Sequence, residues 1–87
     1  MKFSFNLQTL SIITEEFSRI LHREISPEQV RTTTLLKNER CVGRKFQVDS
    51  IVAIWINSQP EIEFYDLQTG AALNTLNLTN DWRLFAA

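Results

Sequence analysis

A chain of 87 residues and 10.1 kDa, with a net charge of -1 and 44% hydrophobic residues, is the size of one small domain and leaves no room for a second. The lone Cys41 excludes an intramolecular disulfide framework, and with His22 as the single histidine there are too few soft ligands for an ordinary Cys/His zinc site. The longest wholly apolar run, Ile51 to Ile56, falls far short of the ~20 residues that span a bilayer, and Met1 to Leu10 alternates instead of running apolar after a basic start, so a soluble cytoplasmic protein is expected.

Lys2 to Gln8 sets Phe3, Phe5 and Leu7 against Ser4, Asn6 and Gln8, the period of a half-buried strand. Residues 1–8 therefore read as a first strand or an N-terminal arm. From Thr9 the period changes. Leu10, Ile13, Phe17, Ile20 and Leu21 fall at spacings of three and four, which predicts an amphipathic helix from Thr9 or Ser11 to Arg23. Glu15, Glu16, Arg19, Arg23 and Glu24 take its solvated side, the two glutamates being near the favourable end of the helix dipole if the helix begins late. Ser26-Pro27-Glu28-Gln29 has the residues of a capped helix start: a capping serine, a proline with no N–H to leave unpaired, and a glutamine placed to reach back. The three threonines Thr32 to Thr34 fit a pleated surface better than a helix, so one turn at Pro27 to Val30 followed by a strand over Arg31 to Leu36 is expected. A second short helix through Leu36 is the alternative.

Lys37 to Glu39 reads as a turn, and Gly43 punctuates the stretch from Arg40 to Val48. Ser50 to Asn57 is the informative strand: Ile51, Ala53 and Trp55 point one way, Val52, Ile54 and Ile56 the other, and both faces are apolar. That pattern belongs to a central strand. One helix covers one face; the other needs the N-terminal arm, the C-terminal tail or a second copy of the protein. Ser58-Gln59-Pro60 ends this strand, and in Glu61 to Asp66 the residues Ile62 and Phe64 point inward, Glu61, Glu63 and Tyr65 outward. Leu67 to Gly70 is a turn with Gly70 suited to positive φ, and Ala71 to Leu78 returns as a strand whose parity shift between Leu73 and Leu76 predicts a bulge. Asn80-Asp81 can cap a last turn over Trp82 to Phe85 within a C-terminal tail of residues 80–87.

Tyr65 to Gly70 and the following Ala71 to Leu76 resemble the outer hairpin of a β-propeller blade in their Asp…Thr-Gly turn. The likeness covers about 12 residues, lacks the Gly-His and Trp-Asp pair, and has no repeats of ~40 residues around it, so it is shared turn chemistry.

Charge is uneven along the chain. Val30 to Phe46 carries Arg31, Lys37, Arg40, Arg44 and Lys45 against Glu39 alone, whereas Gln47 to Ala87 carries Arg83 against Asp49, Glu61, Glu63, Asp66 and Asp81. The bland explanation is that the two segments pair across a sheet. The sharper one is that the basic segment, with Phe46 or Trp55 as a stacking face, binds nucleic acid; the pI of about 5.7 weighs against it. His22 and Cys41 are the candidates for nucleophile–base chemistry, but His22 reads as a polar helix-end residue and Cys41 as a small structural thiol. Glu61, Glu63 and Asp66 lack a calcium-loop pattern or a nearby histidine and read as a charged outer strand that protects an edge. No phosphate-binding glycine motif occurs, and Asn77-Leu78-Thr79 matters as a glycosylation triplet only in a secreted chain.

The expected architecture is α+β, a single domain over residues 1–87 in which one main amphipathic helix packs on a four- to five-stranded, mostly antiparallel meander. The expected function is that of a small noncatalytic interaction or regulatory module acting through protein–protein contacts, as a homodimer or docked on a larger protein. Trp55, Trp82 and Phe85 are its candidate partner-binding residues, because aromatic anchors dominate interfaces. The alternative is a nucleic-acid-binding accessory factor using Arg31, Lys37, Arg40, Arg44 and Lys45. No cofactor, catalytic residue, small-molecule substrate or membrane association is expected.

Overall fold

The chain becomes regular at Asn6 in the computed structural model, which describes residues 6–78. Asn6 is extended, and its Oδ1 accepts the Thr9 backbone N–H at 2.9 Å, satisfying one of the donors that a helix start leaves open. The helix it caps, α1, spans Leu7–Leu21. It begins earlier than the period of its apolar stripe indicates, so Leu7 and Gln8 belong to α1 and not to an N-terminal strand or arm; residues 1–5 lie outside the described residues. The early start also puts Glu15 and Glu16 in the middle of the helix, out of reach of its N-terminal dipole. α1 ends at His22, which takes the left-handed conformation (φ 55°), and the next N–H, that of Arg23, donates back to the Ser18 carbonyl at 3.3 Å.

Gln29 Oε1 accepts the Ser26 N–H at 2.8 Å and holds the expected single turn, a 3-10 turn over Pro27–Gln29. The threonine run then enters a strand, β1, over Arg31–Lys37; no second helix forms there. Four more strands follow: β2 over Arg40–Val48, β3 over Ile51–Ile56, β4 over Glu61–Asp66 and β5 over Ala72–Asn77. All neighbours are antiparallel and lie in chain order, a five-stranded meander with β3 in the middle. The fold is therefore α+β, one helix on an antiparallel sheet.

Two irregularities shape the sheet. Leu35 pairs with Gly43 and Leu36 with Cys41, so Val42 is an extra residue in β2. Gly43 beside it presses on β3: a Cβ there would lie 2.2 Å from the Trp55 carbonyl oxygen, which is why this position carries none. In β5, Phe64 pairs with Asn74 and Tyr65 with Ala72, leaving Leu73 as the bulge that its parity shift predicts. Gly70, at φ 73°, closes the β4–β5 turn by donating its N–H to the Asp66 carbonyl at 2.7 Å.

One side of the sheet faces α1. Phe46 and Val48 of β2, Ile51, Ala53 and Trp55 of β3 and Ile62 and Phe64 of β4 meet Ile13 and Phe17 of α1, with Ile25, Val30 and Leu78 closing the margins. Phe17 and Phe64 pack edge to face with ring centres 5.2 Å apart. Leu10, Ile20 and Leu21 complete the expected helix stripe as partly buried neighbours. Trp55 is 1% exposed, and its Nε1–H donates to the Gln59 carbonyl at 3.2 Å. It is a core residue and not the surface anchor its residue type suggests, because it shares the helix-facing side of the central strand with Ile51 and Ala53. Glu16 also departs from expectation: it is 7% exposed, not solvated.

Candidate interaction surface

Alternation along β3 turns Val52, Ile54 and Ile56 away from α1. None of them belongs to the core cluster, and among the described residues no helix or strand lies over them. Ile54 and Ile56 are half-buried, while Val52, between Gln47 and Tyr65, is buried. The pairing register extends this apolar stripe sideways into rows. One row runs Thr33, Lys45, Ile54, Glu63, Thr75; the next runs Arg31, Gln47, Val52, Tyr65, Ala72. A basic margin thus lies on the β1–β2 side of the stripe and an acidic margin on the β4 side.

This order corrects the simple account of the charge asymmetry. The basic and acidic segments do not pair as neighbouring strands, because β3 runs between β2 and β4. Lys45 and Glu63 are two strand spacings apart, roughly 10 Å between backbones, with Ile54 between them. Two ion pairs of the described residues lie elsewhere: Arg19 with Glu16 and Arg23 with Asp49.

Two clefts flank Ile56. One, of about 180 Å³, is lined by Ile54, Ile56, Gln59, Glu61, Glu63 and Tyr65, and the Tyr65 hydroxyl donates to the Glu63 carboxylate. The other, of about 450 Å³, lies at the β1–β2 hairpin end, where Lys37, Arg40, Cys41, Asn57 and Ser58 surround the far side of Ile56. Asn57 Nδ2 donates to the Cys41 carbonyl at 3.2 Å and fixes that wall. One cleft is acidic and the other cationic, and they share Ile56. A third cleft, of about 460 Å³ and lined by Arg23, Gln29, Arg31, Gln47, Val48 and Asp49, sits at the opposite end of the sheet, where the Arg23–Asp49 ion pair joins the end of α1 to the β2–β3 turn.

The candidate cations do not form one patch. Arg31 and Lys45 lie on the open face, Arg44 shares the helix-facing parity of Phe46, and Lys37 and Arg40 face each other at the hairpin end. Trp82 and Phe85 lie outside the described residues. His22 and Cys41 are held far apart: His22 precedes Arg23, which binds Asp49 at one end of β2, and Cys41 is at the other end, roughly 25 Å away for a strand of that length. Glu61 and Glu63 share a groove with Tyr65, whereas Asp66 turns to accept the Gln68 N–H at 2.9 Å in the β4–β5 turn. Among the described residues no three His, Cys, Asp or Glu side chains are grouped to hold a metal ion, and no helix is long and apolar enough to cross a membrane.

Glu16 is the other polar group that sequence reasoning misplaced. Its carboxylate accepts Arg19 Nε at 2.9 Å and the Asn74 side-chain amide, so it ties α1 to β5. Burial pushes its pKa up, but the hydrogen bonds from Arg19 and Asn74 and the Arg19 charge outweigh that and hold it below the ordinary 4.5. Its part is structural.

Comparison with protein-family models, curated proteins and solved structures yields no match, so the open face is read from its own geometry.

Proposed function

We propose that this chain is a noncatalytic interaction module that works through protein–protein contacts on the open face of its sheet. The observation that supports this most directly is the pair Ile54 and Ile56, half-buried on the side of β3 away from α1 and bordered by cations on one side and carboxylates on the other. An antiparallel sheet with one solvated face ordinarily alternates apolar-in and polar-out. β3 does not, and an apolar centre with a charged rim is the anatomy of a recognition surface. The cytoplasm is the setting this reading takes, since the exposed Cys41 is reduced and unpaired there.

A nucleic-acid role draws less support, because the five cations divide between the open face, the helix side and the hairpin end instead of lining one groove.

Ile54→Asp tests the module. The side chain points away from the core, so the fold is expected to survive, as circular dichroism would report. In affinity capture from nuclease-treated extract of the native host, a protein retained by the unaltered chain is expected to be lost with Ile54→Asp. Equal capture by both would remove the open face from the proposal.

A further inference from the structure

We infer that the occupant of the open face is a second copy of this chain, related by a twofold axis that runs along β3. This rests on the open-face proposal and names its partner.

The inference follows from the order of charges across the sheet. In the row Thr33, Lys45, Ile54, Glu63, Thr75, the sequence of chemistry is polar, positive, apolar, negative, polar. A twofold axis in the interface plane and parallel to β3 reverses that order while keeping the row at the same height along the strands. Ile54 then meets Ile54 of the second copy, and Lys45 meets Glu63 of the second copy twice over, because such an interface is self-complementary. In the next row, where Val52 is already buried, Gln47 meets Tyr65. The two clefts that share Ile56 exchange partners under the same operation, so that the cationic wall of Lys37 and Arg40 faces the acidic groove of Glu61 and Glu63. An axis across the strands would instead place Lys45 over Lys45 and Glu63 over Glu63. Both orientations keep the strands of the two sheets aligned, at a crossing of about 30° and ~10 Å apart, and charge selects the one whose axis runs along β3.

The area sets the strength. Five strands of six residues present a flat footprint of roughly 20 by 24 Å, below the ~800 Å² per partner of a standard interface. A dimer with Kd in the micromolar range is expected, populated at about 10–200 µM.

The experiment is sedimentation velocity of the full chain and of Lys45→Glu and Glu63→Lys, each alone and in equimolar mixture, at low salt. The unaltered chain is expected to dimerise over that range. Each single variant sets two like-charge pairs across the axis and is expected to weaken dimerisation by about tenfold or more, whereas the mixture forms a heterodimer in which both pairs are again opposite. Lys37→Glu with Glu61→Lys makes the same test at the two clefts without removing the Tyr65 partner. A monomer at all concentrations overturns the inference, as does a mixture no more dimeric than its components. If the unaltered chain is monomeric and Ile54→Asp still abolishes capture of another protein, self-association fails and the open-face module stands; if capture is also unchanged, both fail.

Discussion

The carboxylate of Glu16 shows how one residue can be buried against its own chemistry. Taking a charge out of water is costly unless hydrogen bonds replace those it loses, and here Arg19, one turn along α1, and Asn74, on β5, both supply them. Because its folded pKa lies below the ordinary 4.5, the folded state binds the proton less tightly than the unfolded one. The stability it contributes is therefore fully present above about pH 4.5 and is lost as pH falls through the depressed folded value. Glu16→Gln is expected to lower stability at neutral pH by about 1–3 kcal/mol, the range for hydrogen bonds to a charged group. Urea titrations should show the gap between the two proteins narrowing as pH is lowered from 4.5; a gap that stays constant would mean that charge is not what Glu16 contributes. The sequence shows this position as one more polar residue on the helix back. Helical period identifies Ile13 and Phe17, since a stripe needs only local spacing, but the partner that makes Glu16 a buried residue stands 58 positions away, and no local pattern announces it. Trp55 is the converse case: its parity with Ile51 and Ala53 is plain in the sequence, yet its residue type points to an interface, and parity is what the structure obeys.

Elements were legible wherever period and punctuation agreed. The double apolar parity of β3, the alternation of β4, the Gly70 turn and the bulge at Leu73 are all local signals, and each reappears at its position in the sheet. The start of α1 was not, because Asn6 and Leu7 fit the two-residue alternation of the segment before them equally well, and a single side-chain cap decides between the two. The bulge at Val42 escaped for another reason: residues 40 to 45 are mostly charged or small, so there is no alternation whose break would mark it. The β1–β2 turn carries the most direct element-scale prediction. Asn38 and Glu39 form a two-residue loop with φ of 53° and 66°, the left-handed region that suits the twist of a hairpin. Asparagine tolerates it; glutamate does so at a cost of about 1–2 kcal/mol. Glu39→Gly removes that cost, in part offset by the greater freedom glycine gives the unfolded chain, and is expected to raise stability by about 0.5–1 kcal/mol. Thermal unfolding of a variant already weakened in self-association, such as Lys45→Glu, isolates the effect from the open face. An unchanged or lower melting temperature would show that the loop relaxes out of this geometry in solution.

At the scale of the whole molecule, the sequence carries the two ingredients of the open face, a strand apolar on both sides and a basic segment followed by an acidic one, but not their arrangement. Only the sheet order places β3 between β2 and β4 and so prevents the obvious pairing of the two charged segments. The consequence reaches stability, because a chain of this length buries only about 60–65% of the surface its unfolded form exposes, and α1 covers a single side of the sheet. If a second copy supplies the missing cover, folding and association are linked: a dimer that unfolds to two monomers is stabilised by its own concentration. Each tenfold rise in concentration then contributes about 0.7 kcal/mol per chain, half of the 1.4 kcal/mol per decade for the dimer, which for a domain of this size corresponds to roughly 3–5 °C in melting temperature. Differential scanning calorimetry at several concentrations above the dissociation constant is expected to show that slope for the unaltered chain and for the equimolar mixture of Lys45→Glu with Glu63→Lys. Neither variant alone should show it. A melting temperature independent of concentration in the unaltered chain would mean that the described fold carries its own stability and that the open face is bound, when it is bound, by something already folded.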